Sequence, residues 1–264
     1  MVINLLGNQL DAESAKMLAE VAKRTGISLC GIQRDQTTAD FSSKGLQPPD
    51  VILLASDLSQ AIVTGALTSV ELRGNLLGDE GWGAIFAAIC GNKDSKIMCL
   101  DASSETIGPA GVKLIAEALR TSVTGGLTVT NLLGNKLDAE SAKMLAEVAK
   151  QKGISLCGIR RDQTTADFSY KGLKPPDAIL LASDLSQAVV TGALTSLDLS
   201  NNSLCGVTTF GGGTYTAEGI TAIAEALRVN GALTNLRCWN GLGEEGMSSI
   251  RNAVQAKAGF ELDL

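Results

Sequence analysis

Residues 67–77 read LTSVELRGNLL, and residues 194–204 read LTSLDLSNNSL. Both segments fit an eleven-residue frame with apolar residues at positions 1, 4 and 6, an asparagine at position 9 and an apolar residue at position 11. The alternation at positions 4 and 6 is typical of a strand with one buried face. A buried asparagine can hydrogen-bond the backbone where the chain turns away from that strand. The frame therefore predicts a short strand and a turn held by a side-chain amide, with amides of adjacent turns bonding each other.

The frame recurs, with substitutions at some positions, in five further segments: 27–35, 97–107, 127–137, 154–162 and 233–240. Asp35, Glu105 and Asp162 stand where the asparagine is expected, and Asn240 comes one residue early. Most frames are followed by an apolar pattern of helical period. Before the first full frame, Asp11 can cap a helix that Gly26 ends, while Pro109 suits a first helical turn. A helix over 218–229 would direct four residues inward: Ile220, Ile223, Ala224 and Leu227.

A larger duplication encloses these units. Residues 4–75 align without gaps with residues 131–202, and 60 of the 72 positions are identical. Since one strand and one helix cannot bury their own apolar faces, stacked units must share a core. We divide the chain into eight repeats and a last strand: 1–26, 27–66, 67–96, 97–126, 127–153, 154–193, 194–232, 233–259 and 260–264.

Two of these repeats, 27–66 and 154–193, are about ten residues longer than the repeat pattern requires. The extra residues lie within 33–47 and 160–174. Each stretch is compatible with a short hairpin or with a degenerate extra repeat, and the sequence leaves both alternatives open. Pro48, followed by Pro49 and Asp50, then starts a predicted helix.

The chain resembles the ribonuclease-inhibitor subtype of leucine-rich repeat proteins. The resemblance rests on LTSLDLSNNSL followed by EGITAIAEALRVNGALTNL, and on LTSVELRGNLLGDEGWGAIFAAI. It implies an α/β fold, a right-handed leucine-rich repeat solenoid (a horseshoe) with a parallel concave sheet and convex helices. We expect residues 1–264 to form a single solenoid of about eight repeats.

Composition excludes several classes of function. The net charge of −6 disfavours nucleic-acid binding, because an acidic chain does not neutralise phosphates. The absence of histidine removes Ser-His and Cys-His catalysis, and the six cysteines form no CxxC zinc pattern. We therefore expect no enzymatic activity, cofactor or metal. No apolar run is long enough to span a membrane and no signal peptide is evident, so we expect free thiols in the cytoplasm or another reducing intracellular compartment.

The glycine-rich stretch 211–213 lacks the lysine of a phosphate-binding P-loop. We interpret it as a flexible insertion, which Phe210 and Tyr215 could hold against the flank of the molecule.

Strand side chains alternate between two faces, so frame positions 3, 5 and 7 should form the concave surface. Among them, Leu6, Leu29, Leu133, Leu156 and Trp239 would be exposed, and an exposed apolar strip suggests a contact surface. The alternative is that side chains on the sheet simply cover one another. Trp239 and Arg237 are the favoured contact residues, because tryptophan and arginine dominate binding interfaces. The candidate protein-binding residues are Leu6, Leu29, Gln33, Glu71, Arg73, Asp101, Leu133, Arg160, Asp198, Arg237 and Trp239.

The leading functional hypothesis is a non-enzymatic protein–protein interaction module or scaffold that binds a protein partner through the concave face. A second hypothesis is a structural subunit of a larger assembly with end-to-end packing, because the first strand lacks the polar cap that solenoids normally carry. The resemblance also allows a third hypothesis, that the protein regulates a small GTPase, since similar repeats occur in activators of such an enzyme. No residue pattern of that activity is recognisable in this chain.

Overall fold

The computed structural model describes residues 1–123, 125–207 and 212–264. The chain divides into two compact units, Met1–Lys136 (unit 1) and Leu137–Leu264 (unit 2). Phe210 and Gly211, for which the sequence predicts an insertion against the flank, lie outside the described residues.

In unit 1, short strands alternate with helices. The elements are α1 (Ala12–Thr25), β1 (Thr38–Asp40), α2 (Pro48–Leu58), α3 (Ala61–Thr64), β2 (Ser69–Glu71), α4 (Gly78–Gly91), β3 (Cys99–Asp101), α5 (Pro109–Arg120) and β4 (Val129–Asn131). The strands form one parallel sheet in the order β1-β2-β3-β4. Each strand therefore pairs with the strand of the next repeat.

Unit 2 has the same organisation. Its elements are α6 (Ala139–Lys152), β5 (Thr165–Asp167), α7 (Pro175–Leu185), α8 (Ala188–Thr191), β6 (Ser196–Asp198), α9 (Glu218–Val229), β7 (Asn235–Arg237), α10 (Gly243–Val254) and β8 (Glu261–Asp263). The strands again pair in parallel, in the order β5-β6-β7-β8. The predicted α/β class with parallel strands is thereby confirmed for both units.

The helices begin and end where local chemistry favours it. The Asp11 carboxylate accepts the N–H of Ser14 at 2.7 Å, and Gly26 ends α1 in the left-handed conformation with φ of 64°. Pro109 occupies the first turn of α5. Helix α9 spans the predicted residues and buries the four apolar side chains assigned to it. These sequence predictions are confirmed. No helix in the described ranges is both long and apolar enough to cross a lipid bilayer.

The apolar frame positions form the core between sheet and helices. Leu67, Val70 and Leu72 are completely buried, and Leu77 is 1% exposed. Helix α4 adds Trp82 to the same core, also completely buried. Burying a large apolar side chain stabilises a fold by roughly 1.5–3 kcal/mol. Packing of this repeated set therefore supplies most of the driving force for stacking one repeat on the next.

The side chain at frame position 9 holds the turn after each strand. Asn75 Oδ1 accepts the N–H groups of Lys44 and Leu46 at 3.2 and 3.0 Å. Its Nδ2 donates to the carbonyl oxygens of Phe41 and Leu72 at 2.9 and 2.6 Å. One amide thereby satisfies four backbone groups from two successive repeats.

The next repeat carries a buried glutamate at this position. Glu105 accepts the N–H of Asn75 at 2.5 Å through one oxygen and the indole N–H of Trp82 at 3.2 Å through the other. The N–H of Glu105 donates in turn to Asn135 Oδ1 at 3.0 Å. Burial raises the pKa of Glu105, and these hydrogen bonds oppose the rise. The prediction that adjacent turns bond each other through position 9 is confirmed.

The two long repeats each contain an additional strand, which joins the parallel sheet of its unit. Ala39 of β1 lies opposite Val70 of β2, and Ala166 of β5 lies opposite Leu197 of β6. This register puts residues Ala39, Phe41, Lys44 and Leu46 at frame positions 4, 6, 9 and 11. Of the two alternatives for 33–47 and 160–174, the structure has the degenerate repeat. The frames at 27–35 and 154–162 predicted the buried positions Cys30, Ile32, Cys157 and Ile159 correctly, but their predicted exposure of Leu29 and Leu156 was wrong.

Residues 28–30 are not paired with β1. Ser28 and Cys30 instead form isolated bridges with Val2 and Asn4. A cavity of about 400 Å³ lies beside this interruption, lined by residues that include Asn4, Leu6, Cys30, Asp40, Phe41 and Lys44.

We expect Asn75→Ala to lower the free energy of unfolding by at least about 2 kcal/mol, because it leaves buried backbone groups without partners. Asn8 supplies a matched control at the same frame position, since it is exposed and no hydrogen bond of its side chain is found among the described residues. Asn8→Ala should change stability by less than about 0.5 kcal/mol. Urea denaturation checks both values, and equal losses for the two variants would contradict the role assigned to Asn75.

Candidate functional site

Each sheet has a face that points away from its helices. Residues at frame positions 3 and 5 of β2, β3 and β6 are half-buried, whereas the residue between them is buried. Together with position 7, these residues form what we call the strand face. In unit 1 its members are Thr38, Asp40, Ser42, Ser69, Glu71, Arg73, Cys99, Asp101, Ser103, Val129, Asn131 and Leu133. In unit 2 they are Thr165, Asp167, Ser169, Ser196, Asp198, Ser200, Asn235, Arg237, Trp239, Glu261 and Asp263.

Position 5 forms an acidic row along each strand face. Asp40, Glu71 and Asp101 are direct neighbours on β1, β2 and β3. In unit 2, Asp167 and Asp198 are likewise neighbours on β5 and β6. Adjacent strands are about 4.8 Å apart, and like charges at that distance destabilise a sheet. The strand faces therefore carry concentrated negative charge that fold stability does not require.

A repeated hydrogen bond fixes these carboxylates. Oδ1 of Asp40 accepts the N–H of Ser42 at 2.9 Å and its hydroxyl at 2.6 Å. Oδ1 of Asp101 accepts the N–H of Ser103, also at 2.9 Å. The hydroxyl and N–H of Ser42 hold the pKa of Asp40 below its usual value. Asp40 and Asp101 are thus oriented by hydrogen bonds to the serine two residues later in the chain.

The strand face of unit 2 also displays aromatic and basic groups. Trp239 is 58% exposed, and its indole N–H donates to Asp263 Oδ1 at 2.5 Å. Arg237 is exposed and lies between Asp198 and Asp263 on the neighbouring strands. Tyr170, next to the face, is 77% exposed with φ of 56°. The expected exposure of Trp239 and Arg237 is confirmed.

Some of the other sequence candidates lie on the strand faces, and the rest lie elsewhere in the structure. Glu71, Asp101 and Asp198 lie on the strand faces as half-buried residues, and Arg73 is an exposed member of the face. Leu6 is also half-buried and lines the cavity beside residues 28–30. With Arg237, the structure therefore brings five of the charged candidates into the rows that the frame predicts.

Three leucines expected in water are buried: Leu29 at 4%, Leu133 at 6% and Leu156 at 0% exposure. Leu29 lies in a segment without in-out alternation, because Ser28, Leu29 and Cys30 are all buried. Leu156 is its counterpart in the duplicated block. Leu133 is covered where the turn of the preceding repeat approaches, as Ser104 donates its N–H to the Leu133 carbonyl at 3.0 Å. Their predicted exposure was wrong.

Gln33 and Arg160 are exposed, but they lie ahead of β1 and β5 and outside the strand rows. The N–H of Gln33 donates to Gln36 Oε1 at 3.1 Å, and that of Arg160 donates to Gln163 Oε1 at 3.2 Å. Both residues therefore belong to turns. They were assigned to the face only because the frames at 27–35 and 154–162 were misplaced.

Sequence reasoning missed five residues at the strand faces: Asp40, Asp167, Tyr170, Glu261 and Asp263. A signal for the first two was available, because an aspartate followed two residues later by serine recurs at Asp101 and Asp198. The missed strands β1 and β5 concealed it. In the described ranges, no group of three or more acidic or cysteine residues has the arrangement of a metal site.

A buried carboxylate near the end of α7 also escaped sequence analysis. Asp184 is completely buried and accepts the Ser155 hydroxyl at 2.7 Å, together with the N–H groups of Leu156 and Cys157 at 2.8 and 3.1 Å. Burial raises its pKa to about 6, against the hydrogen bonds that lower it. A perturbed pKa can mark a functional site. Here the enclosed, fully bonded group is a structural brace that pins residues 155–157.

Comparison with known proteins gave little. No family model matches the chain, and no curated protein matches it. Among solved structures, the chain is similar to one described as the tropomodulin C-terminal domain of Caenorhabditis elegans, with 12% identity, covering 93% of this chain and 92% of that chain, at a TM-score of 0.32. A TM-score of that size does not establish a common fold.

We expect the stability of unit 2 to depend on pH through Asp184. Its pKa is about 6 in the folded protein against 3.8 for an ordinary aspartate side chain, so the folded state binds the proton more tightly. The free energy of unfolding should therefore fall as pH rises from about 4 to about 6, by on the order of 3 kcal/mol at most. Asp184→Asn should remove this slope while lowering stability overall, because a buried donor then faces another donor.

Asp198→Asn is the matched control, since its side chain can still accept the N–H of Ser200 from a half-buried site. Urea denaturation across this pH window should give this variant the slope of the unmodified protein. The same slope in Asp184→Asn would refute the assignment.

Proposed function

We propose that this chain is a non-enzymatic protein-interaction module that binds a protein partner through its strand faces. The observation that carries the proposal is the row of fixed charged side chains on an open sheet surface. Asp40 and Asp101 are held by serine N–H groups, and Trp239 is held by Asp263 while 58% of its surface is exposed. A rigid surface binds with little loss of side-chain entropy, which favours affinity.

The charge of the strand faces indicates the kind of partner. Carboxylates predominate at position 5, and the whole chain carries a net charge of −6. Such a surface repels phosphate groups, so we propose a partner protein rather than a nucleic acid. Basic patches on the partner would be steered toward the acidic row, and the association rate should fall as salt is added.

We also propose that the chain is a leucine-rich repeat protein of the ribonuclease-inhibitor-like subtype. The support is the recurring frame, its parallel strands alternating with helices, and the position-9 side chains that bond successive turns. None of the six cysteines forms a disulfide in the part of the chain that the structure describes, and five of them are buried, which favours a reducing intracellular compartment.

The partner can be identified by cross-linking in native extract followed by mass spectrometry. The proposal expects cross-links that originate from residues bordering the strand faces. Specific cross-links confined to the helices would place the binding site on the helices instead of the strand faces. The absence of any specific protein partner would overturn the proposal.

Trp239→Ala should weaken binding of that partner at least about tenfold, because exposed tryptophans at interface centres contribute about 2 kcal/mol or more. The melting temperature should stay nearly unchanged, since most of the side chain is already in water. Val123→Ala is the control, as Val123 is 64% exposed and lies away from the strands. Isothermal titration and thermal unfolding measure the two effects. A large loss of stability would show that Trp239 serves the fold instead.

A further inference from the structure

Neighbouring strands of the parallel sheets are joined by one repeated backbone hydrogen bond. The N–H at frame position 6 of a strand donates to the carbonyl at position 5 of the next strand. Phe41 donates in this way to Glu71 at 2.8 Å, and Leu72 donates to Asp101 at 3.1 Å. The strands of unit 2 are joined by the same bond. A break in this pattern therefore marks a place where a strand lacks its neighbour.

The pattern breaks between the first repeat and β1. By the alignment of the duplicated blocks, Leu5 occupies position 6 of the first repeat. Its N–H donates to the Leu29 carbonyl at 2.8 Å rather than to the Asp40 carbonyl. Two residues later, the N–H of Gly7 donates to Asp50 Oδ1 at 2.8 Å. The groups that would join this repeat to β1 thus have other acceptors.

Strand β1 consequently has an unpaired edge within unit 1. Thr37 and Phe41 bond β2 through their backbone groups. The backbone groups of Asp40 point to the opposite side, because successive residues of a strand bond in opposite directions. In the part of the chain that the structure describes, no hydrogen bond is found for the N–H or the carbonyl of Asp40. We call these two groups the β1 edge.

The cavity of about 400 Å³ lies along the β1 edge, and its volume is in the range of ligand-binding clefts, about 300–1,000 Å³. Phe41 and the buried Leu46 give it an apolar wall. Asp40 and Lys44 add exposed charges of opposite sign. An unpaired strand edge beside an open cleft is an arrangement that binds extended peptides by strand addition.

A buried carboxylate keeps this cleft open. Asp57 accepts the N–H groups of Leu29 and Cys30 at 3.0 Å and the hydroxyl of Ser28 at 2.8 Å. Residues 28–30 therefore cannot move to the β1 edge without breaking buried hydrogen bonds. Asp184 holds residues 155–157 in the same way in the duplicated block. A cleft that is formed in advance binds without the cost of rearrangement.

We propose that an extended peptide of a partner protein binds in this cleft as an additional strand along the β1 edge. The peptide donates an N–H to the Asp40 carbonyl and accepts the N–H of Asp40. Because strand side chains alternate, its inward residues contact Phe41 and Leu46. Its outward residues are a basic one beside Asp40 and an acidic one beside Lys44. This inference goes beyond the proposed binding at the strand faces and does not depend on it.

The first test uses a phage-displayed library of random linear peptides of about six residues, a usual strand length. We expect selection on the unmodified protein to enrich peptides in which apolar and charged residues alternate. N-methylation of a synthesised peptide at every second residue should weaken binding at least about tenfold, because it removes the donors that face β1. Methylation of the residues between should have a smaller effect. No enrichment, or equal effects at all positions, would overturn the proposal.

Amide hydrogen exchange tests the same contact on the unmodified protein. The Asp40 amide should exchange rapidly in the free protein and at least about tenfold more slowly with the selected peptide bound. The Phe41 amide is the internal control, since it already bonds Glu71 and should not change. A protected Asp40 amide in the free protein, or no added protection with peptide, would contradict the proposed strand addition.

Leu6→Trp should weaken peptide binding at least about tenfold, because Leu6 is half-buried in the cleft wall and the larger ring occupies the peptide's place. Trp239→Ala is the matched control on the strand face of unit 2 and should leave the peptide affinity unchanged. Isothermal titration measures both. Unchanged affinity in Leu6→Trp, or an equal loss in Trp239→Ala, would overturn this site and leave the strand-face proposal standing. If circular dichroism shows that Leu6→Trp is misfolded, the exchange measurement decides.

Discussion

The structure depends on the need to satisfy backbone groups where each strand turns into the next segment. These turns lie between sheet and helix, where an unpaired N–H or carbonyl is costly. Asn75, Glu105 and Asn135 meet that need by bonding successive turns. Because one side chain serves two repeats, the turns lock neighbouring strands into register, and the apolar frame positions then align into one core within each unit.

The interruption beside residues 28–30 follows from the same constraint. Position 9 of the β1 repeat is Lys44, whose side chain cannot accept hydrogen bonds as an asparagine does. The buried N–H groups of the preceding segment bond Asp57 instead, whose carboxylate accepts those of Leu29 and Cys30 at 3.0 Å. The Asp57 carboxylate, near the end of α2, thus takes the place of the asparagine amide found at position 9 of other repeats. Burial raises the pKa of Asp57, as it does that of Asp184 in unit 2.

The braces at the turns also fix the side chains of the strand faces. A short strand between two fixed turns holds position 5 in place, so carboxylates such as Asp40 and Asp101 project as an ordered row. The energetic disadvantage of neighbouring like charges is tolerated because the core below is dense. A surface built this way exchanges some stability for a strong and directional electrostatic field.

The sequence by itself determined the repeat frame, the parallel α/β class, the bounds of helices such as α9 and the amide that joins successive turns. These features follow from periodicity and short-range capping, which act between residues close in the chain. It also placed Glu71, Asp101, Asp198 and Arg237 in the correct rows. It misassigned Leu29, because the apolar residues at 27, 30 and 32 imitate the frame better than the true strand, where Ala39 is small.

Only the tertiary structure decided which of these segments becomes a strand of the parallel sheet. The N–H of Leu29 finds its acceptor in Asp57, 28 residues farther along the chain. The exposure of Val2 against that of Val129 shows the same effect, since similar neighbouring sequence gives opposite burial. The segments that the fold packs beside a strand determine its hydrogen-bond partners and its burial. The local sequence pattern does not encode which segments these are.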